Sequence, residues 1–199
     1  MQFPKFLRPF FGKLIWQVDT DSRLIYLTFD DGPVPEVTPK VLDILDRYGW
    51  KATFFCVGEN VMKHPDLYQE ILRRGHSVGN HSFNHIRGFA YPLGEYVANV
   101  RKASVYIDSK LFRPPHGRIR FSQINALKND YQIVMWDVIT YDYDRNKSPE
   151  SILKIIKRHL RKGSIVVFHD SIKAEKNVLA VLPKALEYWK EQNYQYGLL

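Results

Sequence analysis

Leu24-Ile25-Tyr26-Leu27-Thr28-Phe29-Asp30-Asp31-Gly32-Pro33 is a β-prone apolar run that ends in two adjacent carboxylates and a Gly-Pro pair. Gly-Pro stops a strand and forces a turn, so Asp30 and Asp31 are predicted at a strand exit. Neighbouring side chains on a regular strand face opposite ways. A turn directly afterwards can swing both carboxylates toward one cavity, one to bind a cation and the other to stay free beside it. Asp-Asp-Gly-Pro is also ordinary turn chemistry, so the segment needs support from elsewhere in the chain.

His81-Ser82-Phe83-Asn84-His85 supplies that support. Histidines four apart on a helical turn or a tight loop aim both imidazoles at one point. Two imidazoles and a carboxylate form the ligand set of many catalytic zinc sites and leave a position open for water. A structural zinc site would fill all four positions, often with thiolates. The single cysteine, Cys56, lies in the apolar run Thr53-Phe54-Phe55-Cys56-Val57 and reads as a small core residue. One thiol forms no internal disulfide and does not place the compartment, for which the cytoplasm is the default expectation.

Outward from these segments the chain alternates. Helices are predicted near 39–48 (Thr38 as N-cap, Pro39 at the first helical position, Gly49 as the stop), 65–74, 95–108, 123–129, 149–160 and 181–191. Strands are predicted near 24–27, 52–57, 76–79, 111–113, 132–138 and 164–168. The expectation is an α/β fold, a distorted (β/α) barrel of about seven parallel strands, with an open doubly wound sheet as the competing architecture. On this plan Asp30, Asp31, His81, His85, Arg113, Asp142, His169 and Asp170 all fall at C-terminal strand ends, which share one rim of a barrel. Each alone reads as a solvated loop charge or a turn former. Together they converge.

Five segments in order, TFDDGP (28–33), HSFNH (81–85), RPPHG (113–117), WDVITYDY (136–143) and IVVFHD (165–170), resemble the polysaccharide deacetylase family, the family 4 carbohydrate esterases built on the NodB homology domain. The resemblance runs from about Leu24 to the end. It implies a metal-dependent hydrolase removing N-acetyl or O-acetyl groups from a polysaccharide or oligosaccharide containing N-acetylglucosamine. It also implies that Asp31, His81 and His85 hold a divalent metal, usually zinc, and that Asp30 is the base, oriented by Arg113. His169 would be the general acid, tuned by Asp142. Pro114, Pro115, His116, Tyr143 and Val167 would contact substrate, Val167 standing where the family often has a leucine lining the acetyl-methyl pocket. Ser82 would brace the histidine loop by hydrogen bonding. His116 departs from the family's tyrosine, Ile139 from an aspartate and Tyr143 from a tryptophan, which alters the rim of the groove; the backbone N–H at His116 is the expected oxyanion donor.

The chemistry stands without the family. Amide cleavage needs an activated water, a stabilised tetrahedral oxyanion and a proton for the amine; a divalent ion serves the first two. Asp30 can take the water's proton, and His169 can protonate the amine. Two histidines and a carboxylate also form the facial triad of non-haem iron oxygenases, with His64-Pro65-Asp66 as an H-x-D pattern. Pro65 suits a first helical position with Asp66 in the first turn, and those oxygenases are usually jelly rolls, so that reading is set aside. Within the same fold, hydrolysis of a small amide or cyclic imide is the alternative; it predicts a closed pocket, whereas short loops here favour an open groove.

With 199 residues and 45% hydrophobic content, one domain (1–199) with residues 1–22 as an N-terminal arm is expected. The formal net charge of +8 suits anionic surroundings. The basic patch Lys157-Arg158 and Arg161-Lys162 closes a predicted helix, where cations complement the dipole. No specific nucleic-acid-binding motif is present, which ranks a basic nucleic-acid module low. The segment Met1 to Trp16 mixes apolar and basic residues, but Pro4 and Pro9 interrupt it, and neither a signal core nor a membrane span is read. It is expected to pack on the barrel or to make weak contact with an anionic surface or membrane.

Overall fold

The computed structural model describes residues 14–199. The expectations for the arm and for membrane contact lie outside the described residues over 1–13. The strands are β1 (Leu14–Ile15), β2 (Leu24–Asp30), β3 (Thr53–Cys56), β4 (Ser77–Asn80), β5 (Leu111–Phe112), β6 (Gln132–Val134), β7 (Val138–Ile139), β8 (Ser164–His169) and β9 (Gln195–Tyr196). The helices are α1 (Thr38–Tyr48), α2 (Gly58–Lys63), α3 (Pro65–Arg73), α4 (Leu93–Ala103), α5 (Phe121–Leu127), α6 (Pro149–His159) and α7 (Glu175–Glu191).

The strands run β1-β6-β5-β4-β3-β2-β8-β7, with β9 added beside the start of β2. The pairings are parallel. The end strands β1 and β7 do not pair, so the barrel stays open between them, as a parallel half-barrel. At its base the gap is spanned by the segment after β1: Met135 N–H donates to Ile15 O at 2.7 Å, and Val18 N–H donates to Gly163 O at 3.0 Å.

Side-chain alternation explains how one strand serves both core and site. On β2, Ile25, Leu27 and Phe29 face outward into the main core beneath α1, α6 and α7. Tyr26 faces inward, clustering with Phe55, Val134 and Ile165 to plug the barrel's base. The same inward row continues through Thr28 to Asp30. On β8 the outward pair is Val166 and Phe168, and the inward row climbs from Ile165 through Val167 to His169. Apolar residues close the bottom of each row, and a polar group ends it at the top.

Several boundaries differ from the sequence reading. The run 132–138 is two strands rather than one, because Met135 bonds to β1 while Asp137 N–H donates to Ile165 O at 3.0 Å on β8. The chain changes sheet partners within three residues. Thr38 is the first residue of α1 rather than its N-cap, which is Val37. Its hydroxyl donates instead to Asp170 Oδ2 at 2.6 Å. Helix α2 was not anticipated, and α7 begins at Glu175, carrying Pro183 inside it. As expected, Gly49 ends α1 with φ 67°, Pro65 opens α3, and Cys56 is a buried free thiol. Among the described residues, no helix is long and apolar enough to cross a membrane.

Candidate active site

Strand β2 delivers Asp30 to the rim, where it is 4% exposed. Its Oδ1 accepts from Arg113 Nη1 at 2.6 Å. Arg113 is fully buried. It also donates to Thr28 Oγ1 at 2.7 Å and Met135 O at 3.0 Å, and its guanidinium lies 4.0 Å from the Phe55 ring centroid. Burial pushes the guanidinium pKa down, and the Asp30 carboxylate opposes that. Breaking such a pair from one side leaves an uncompensated buried charge.

Asp31 follows with φ 83°. This left-handed backbone turns its carboxylate off the strand's alternation and into the cavity that Asp30 faces. The turn is clamped from behind: Gly32 N–H donates to Asp170 Oδ1 at 3.1 Å. A Cβ at Gly32 would sit 2.0 Å from Asp170 Oδ2, so only glycine fits. Burial lifts the Asp170 pKa to about 8, against the hydrogen bond from Thr38.

Asp31 Oδ1 lies 3.2 Å from His85 Nε2 and 3.7 Å from His81 Nε2. The three residues offer donor atoms all within 4.8 Å of one another. A tetrahedral ion with bonds of ~2.0–2.1 Å needs donors about 3.3 Å apart, so the set fits a divalent metal. His81 Nδ1 lies 2.8 Å from Arg113 O. A carbonyl only accepts, so Nδ1 carries the proton and Nε2 presents its lone pair to the site. Burial lowers the His81 pKa to about 4, which keeps the ring neutral, as a ligand must be. Burial pushes Asp31 up, but the His85 hydrogen bond and the charges of His169 and His81 outweigh it, and its pKa lies well below the carboxylate range.

The histidines sit in a loop with positive φ at Ser82 (65°) and His85 (57°), not on a helix. Gly58 and Glu59 amides at the start of α2 donate to the carbonyls of Ser82 and Phe83 at 3.0 and 2.7 Å. Ser82 N–H donates to Asn80 Oδ1 at 2.8 Å. The hydrogen bonds of Ser82 in this loop run through its main chain; its hydroxyl Oγ is buried without a partner among the described residues.

On the facing wall, His169 Nδ1 is 2.8 Å from Asp142 Oδ1, and His169 N–H donates to Asp142 Oδ2 at 2.7 Å. Thr140 Oγ1 also donates to Asp142 Oδ1, at 3.0 Å. Burial alone would lower the His169 pKa, but Asp142 with Asp31 and Asp30 raises it to about 9. Asp30 and His169 are register partners on adjacent parallel strands. Sequence positions 139 apart therefore end side by side on the inward face.

A cavity of about 630 Å³ spans the rim. Of the residues singled out in the sequence, Asp30, Asp31, His81, His85, His116, Ile139, Tyr143 and His169 line it. Arg113 and Asp142 stand behind Asp30 and His169. Pro114, Pro115 and Val167 are not on its wall: Val167 is buried two residues below His169, and its register partner Ile139 takes the wall position. Sequence reading missed Arg87, Gly117, Arg118, Trp136, Tyr141, Ser171 and Lys173, which also line it. Trp136 stacks where a Cβ on Gly117 would come within 2.3 Å of the indole.

A family model described as polysaccharide deacetylase matches residues 17–134. The chain belongs to that family. A peptidoglycan-N-acetylglucosamine deacetylase of Bacillus cereus is 33% identical over 192 residues, covering 93% of this chain and 90% of the relative. The solved structure of the Bc1960 peptidoglycan N-acetylglucosamine deacetylase matches with a TM-score of 0.91 at 28% identity, covering 99% of this chain and 95% of the other. BA3943 of Bacillus anthracis, described as a family pseudoenzyme, matches at 0.80 and 25% identity, covering 94% of this chain and 67% of the other. The fold of this deacetylase family thus persists in a member described as inactive, and activity has to be argued from side chains.

Proposed function

We propose that this deacetylase hydrolyses the N-acetyl group of N-acetylglucosamine within a glycan strand. The observation that carries the reading is the placement of Asp30 and His169 as register neighbours beside the Asp31, His81 and His85 donor set. The names of the Bacillus cereus relative and of Bc1960 point to the same sugar.

Asp31, His81 and His85 would hold a divalent ion, and their mixed nitrogen and oxygen donors at tetrahedral spacing favour zinc. When bound, the ion lowers the pKa of a water and polarises the acetyl carbonyl. Asp30, aimed by Arg113, takes the proton of the attacking water. The backbone N–H of His116 donates to the oxygen of the tetrahedral intermediate. His169, held as an imidazolium by Asp142, protonates the departing amine. Trp136, Tyr141 and Tyr143 supply the aromatic lining against which the sugar would lie.

Acetate release from N-acetylated oligosaccharides by metal-loaded protein, with Asp30→Asn as control, tests the reading. Release slowed by about 10²- to 10⁴-fold in the variant is expected. Hydrolysis of a small amide or cyclic imide with no release from any acetylated sugar overturns it.

A further inference from the structure

Arg87, Arg118 and Lys173 line the cavity, are exposed, and form no ion pair with a carboxylate among the described residues. Residues 1–13 contain no aspartate or glutamate to neutralise them. The acids of the same cavity are engaged elsewhere, Asp30 with Arg113 and Asp31 with the two histidines. The rim therefore carries uncompensated positive charge around an already balanced centre.

These cations are held on built elements. The backbone at Gly88 packs so closely that an added Cβ would lie 2.3 Å from Arg118 O. Buried Gln123 ties the two loops, donating through Nε2 to Gly88 O at 2.7 Å and accepting at Oε1 from Arg120 N–H at 2.9 Å. Arg87 and Arg118 are thus fixed at one end of the cleft, near His116. Lys173 stands on the other wall, its ammonium 5.4 Å from the Tyr143 ring centroid, and that ring meets His169 edge-on at 4.8 Å. A neutral glycan laid across the cleft covers these charges without replacing their lost water. A glycan with carboxylates beside the reacting sugar replaces it with ion pairs.

We propose that Arg87, Arg118 and Lys173 are specificity-determining residues that select a glycan whose acetamido sugar is flanked by carboxylate-bearing groups, over a neutral acetamido polymer. This rests on the deacetylase reading of the same site and adds the charge of its substrate.

The test uses one oligosaccharide in two forms: N-acetylglucosamine alternating with a lactyl-carboxylate-bearing N-acetylamino sugar, and the same compound with its carboxylates converted to methyl amides. The metal-loaded enzyme is expected to favour the acid form about tenfold in kcat/KM, from about twofold for each of the three cations. That ratio should shrink as salt rises past physiological strength, where the screening length is about 8 Å. In the combined variant Arg87→Gln, Arg118→Gln, Lys173→Gln the ratio should fall toward one. Calorimetric binding of the same pair reads the rim apart from turnover. Equal kcat/KM and equal Kd for the two forms, or a preference that persists in the variant, overturns the proposal while leaving the deacetylase reading intact. A Kd preference that vanishes in the variant, without acetate release from any sugar, sustains the rim and sinks the deacetylase reading.

Discussion

Replacing Asp142 by asparagine keeps the shape of the His169 support and removes its charge. The carboxylate contacts both the ring Nδ1 at 2.8 Å and the backbone N–H at 2.7 Å of His169. With it the imidazole pKa is about 9; burial pulls the other way. Without it, burial acts with less opposition and the pKa is expected at or below the ordinary ~6.5. At pH 8 the protonated fraction then falls from about 0.9 to about 0.03, roughly a thirtyfold loss of the acid form. A cation beside Asp31 offsets that carboxylate's pull on His169, so the clean measurement is histidine NMR titration of metal-free protein, paired with the pH profile of acetate release by the loaded enzyme. The expected result is an alkaline limb displaced to lower pH in Asp142→Asn, with the NMR pKa moving alongside. The linkage has a definite sign. A folded-state pKa above the unfolded value stabilises the protein fully below about pH 6.5, and this contribution, about 3 kcal/mol, is lost as pH rises through about 9. An unchanged alkaline limb in the variant would refute the pairing argument.

Asp30→Asn should lower turnover by about 10²- to 10⁴-fold while leaving bound metal at wild-type stoichiometry, measured by acetate release and elemental analysis. His81→Gln should lose the metal itself, and chelation of the wild type should abolish release until a divalent cation is restored. Arg113→Met leaves Asp30 buried and unpaired, so denaturant unfolding should show a loss of roughly 3–5 kcal/mol. Gly32→Ala forces a Cβ into the Asp170 carboxylate; it should weaken metal affinity more than Asp170→Asn, which keeps one acceptor oxygen, as read by metal titration.

The parallel α/β plan was legible because it depends on local signals. Apolar runs of strand length alternate with amphipathic segments that carry Pro39, Pro65 and Pro149 in their first turns and stop at residues such as Gly49. The errors fall where a distant partner decides. Nothing within Gln132-Ile133-Val134-Met135-Trp136-Asp137-Val138 marks a break, since the break is made by Ile15 drawing Met135 one way and Ile165 drawing Asp137 the other. Asp137 offered one hint, a charge in an otherwise apolar run; it is buried against Arg161 and Ser164 Oγ. Helix α2 has six residues, too few to display a period, and its role is visible only once its amides are seen holding the histidine loop.

The same division runs through the site. Residues that perform chemistry stand out in sequence because their types are unusual at strand ends: paired aspartates, spaced histidines, an arginine before two prolines. Residues that make the chemistry possible do not, because their types are common. Asp170 could be read as a turn former, yet it accepts from both Gly32 N–H and Thr38, and so fixes the left-handed turn that separates Asp31 from Asp30. Without that turn, strand alternation would send the two carboxylates to opposite faces, and the donor set could not coexist with a free acid beside it. The positive φ at Asp31 is therefore the geometric condition for placing a metal ligand and a base at successive positions, and the buried carboxylate 139 residues onward is what holds it.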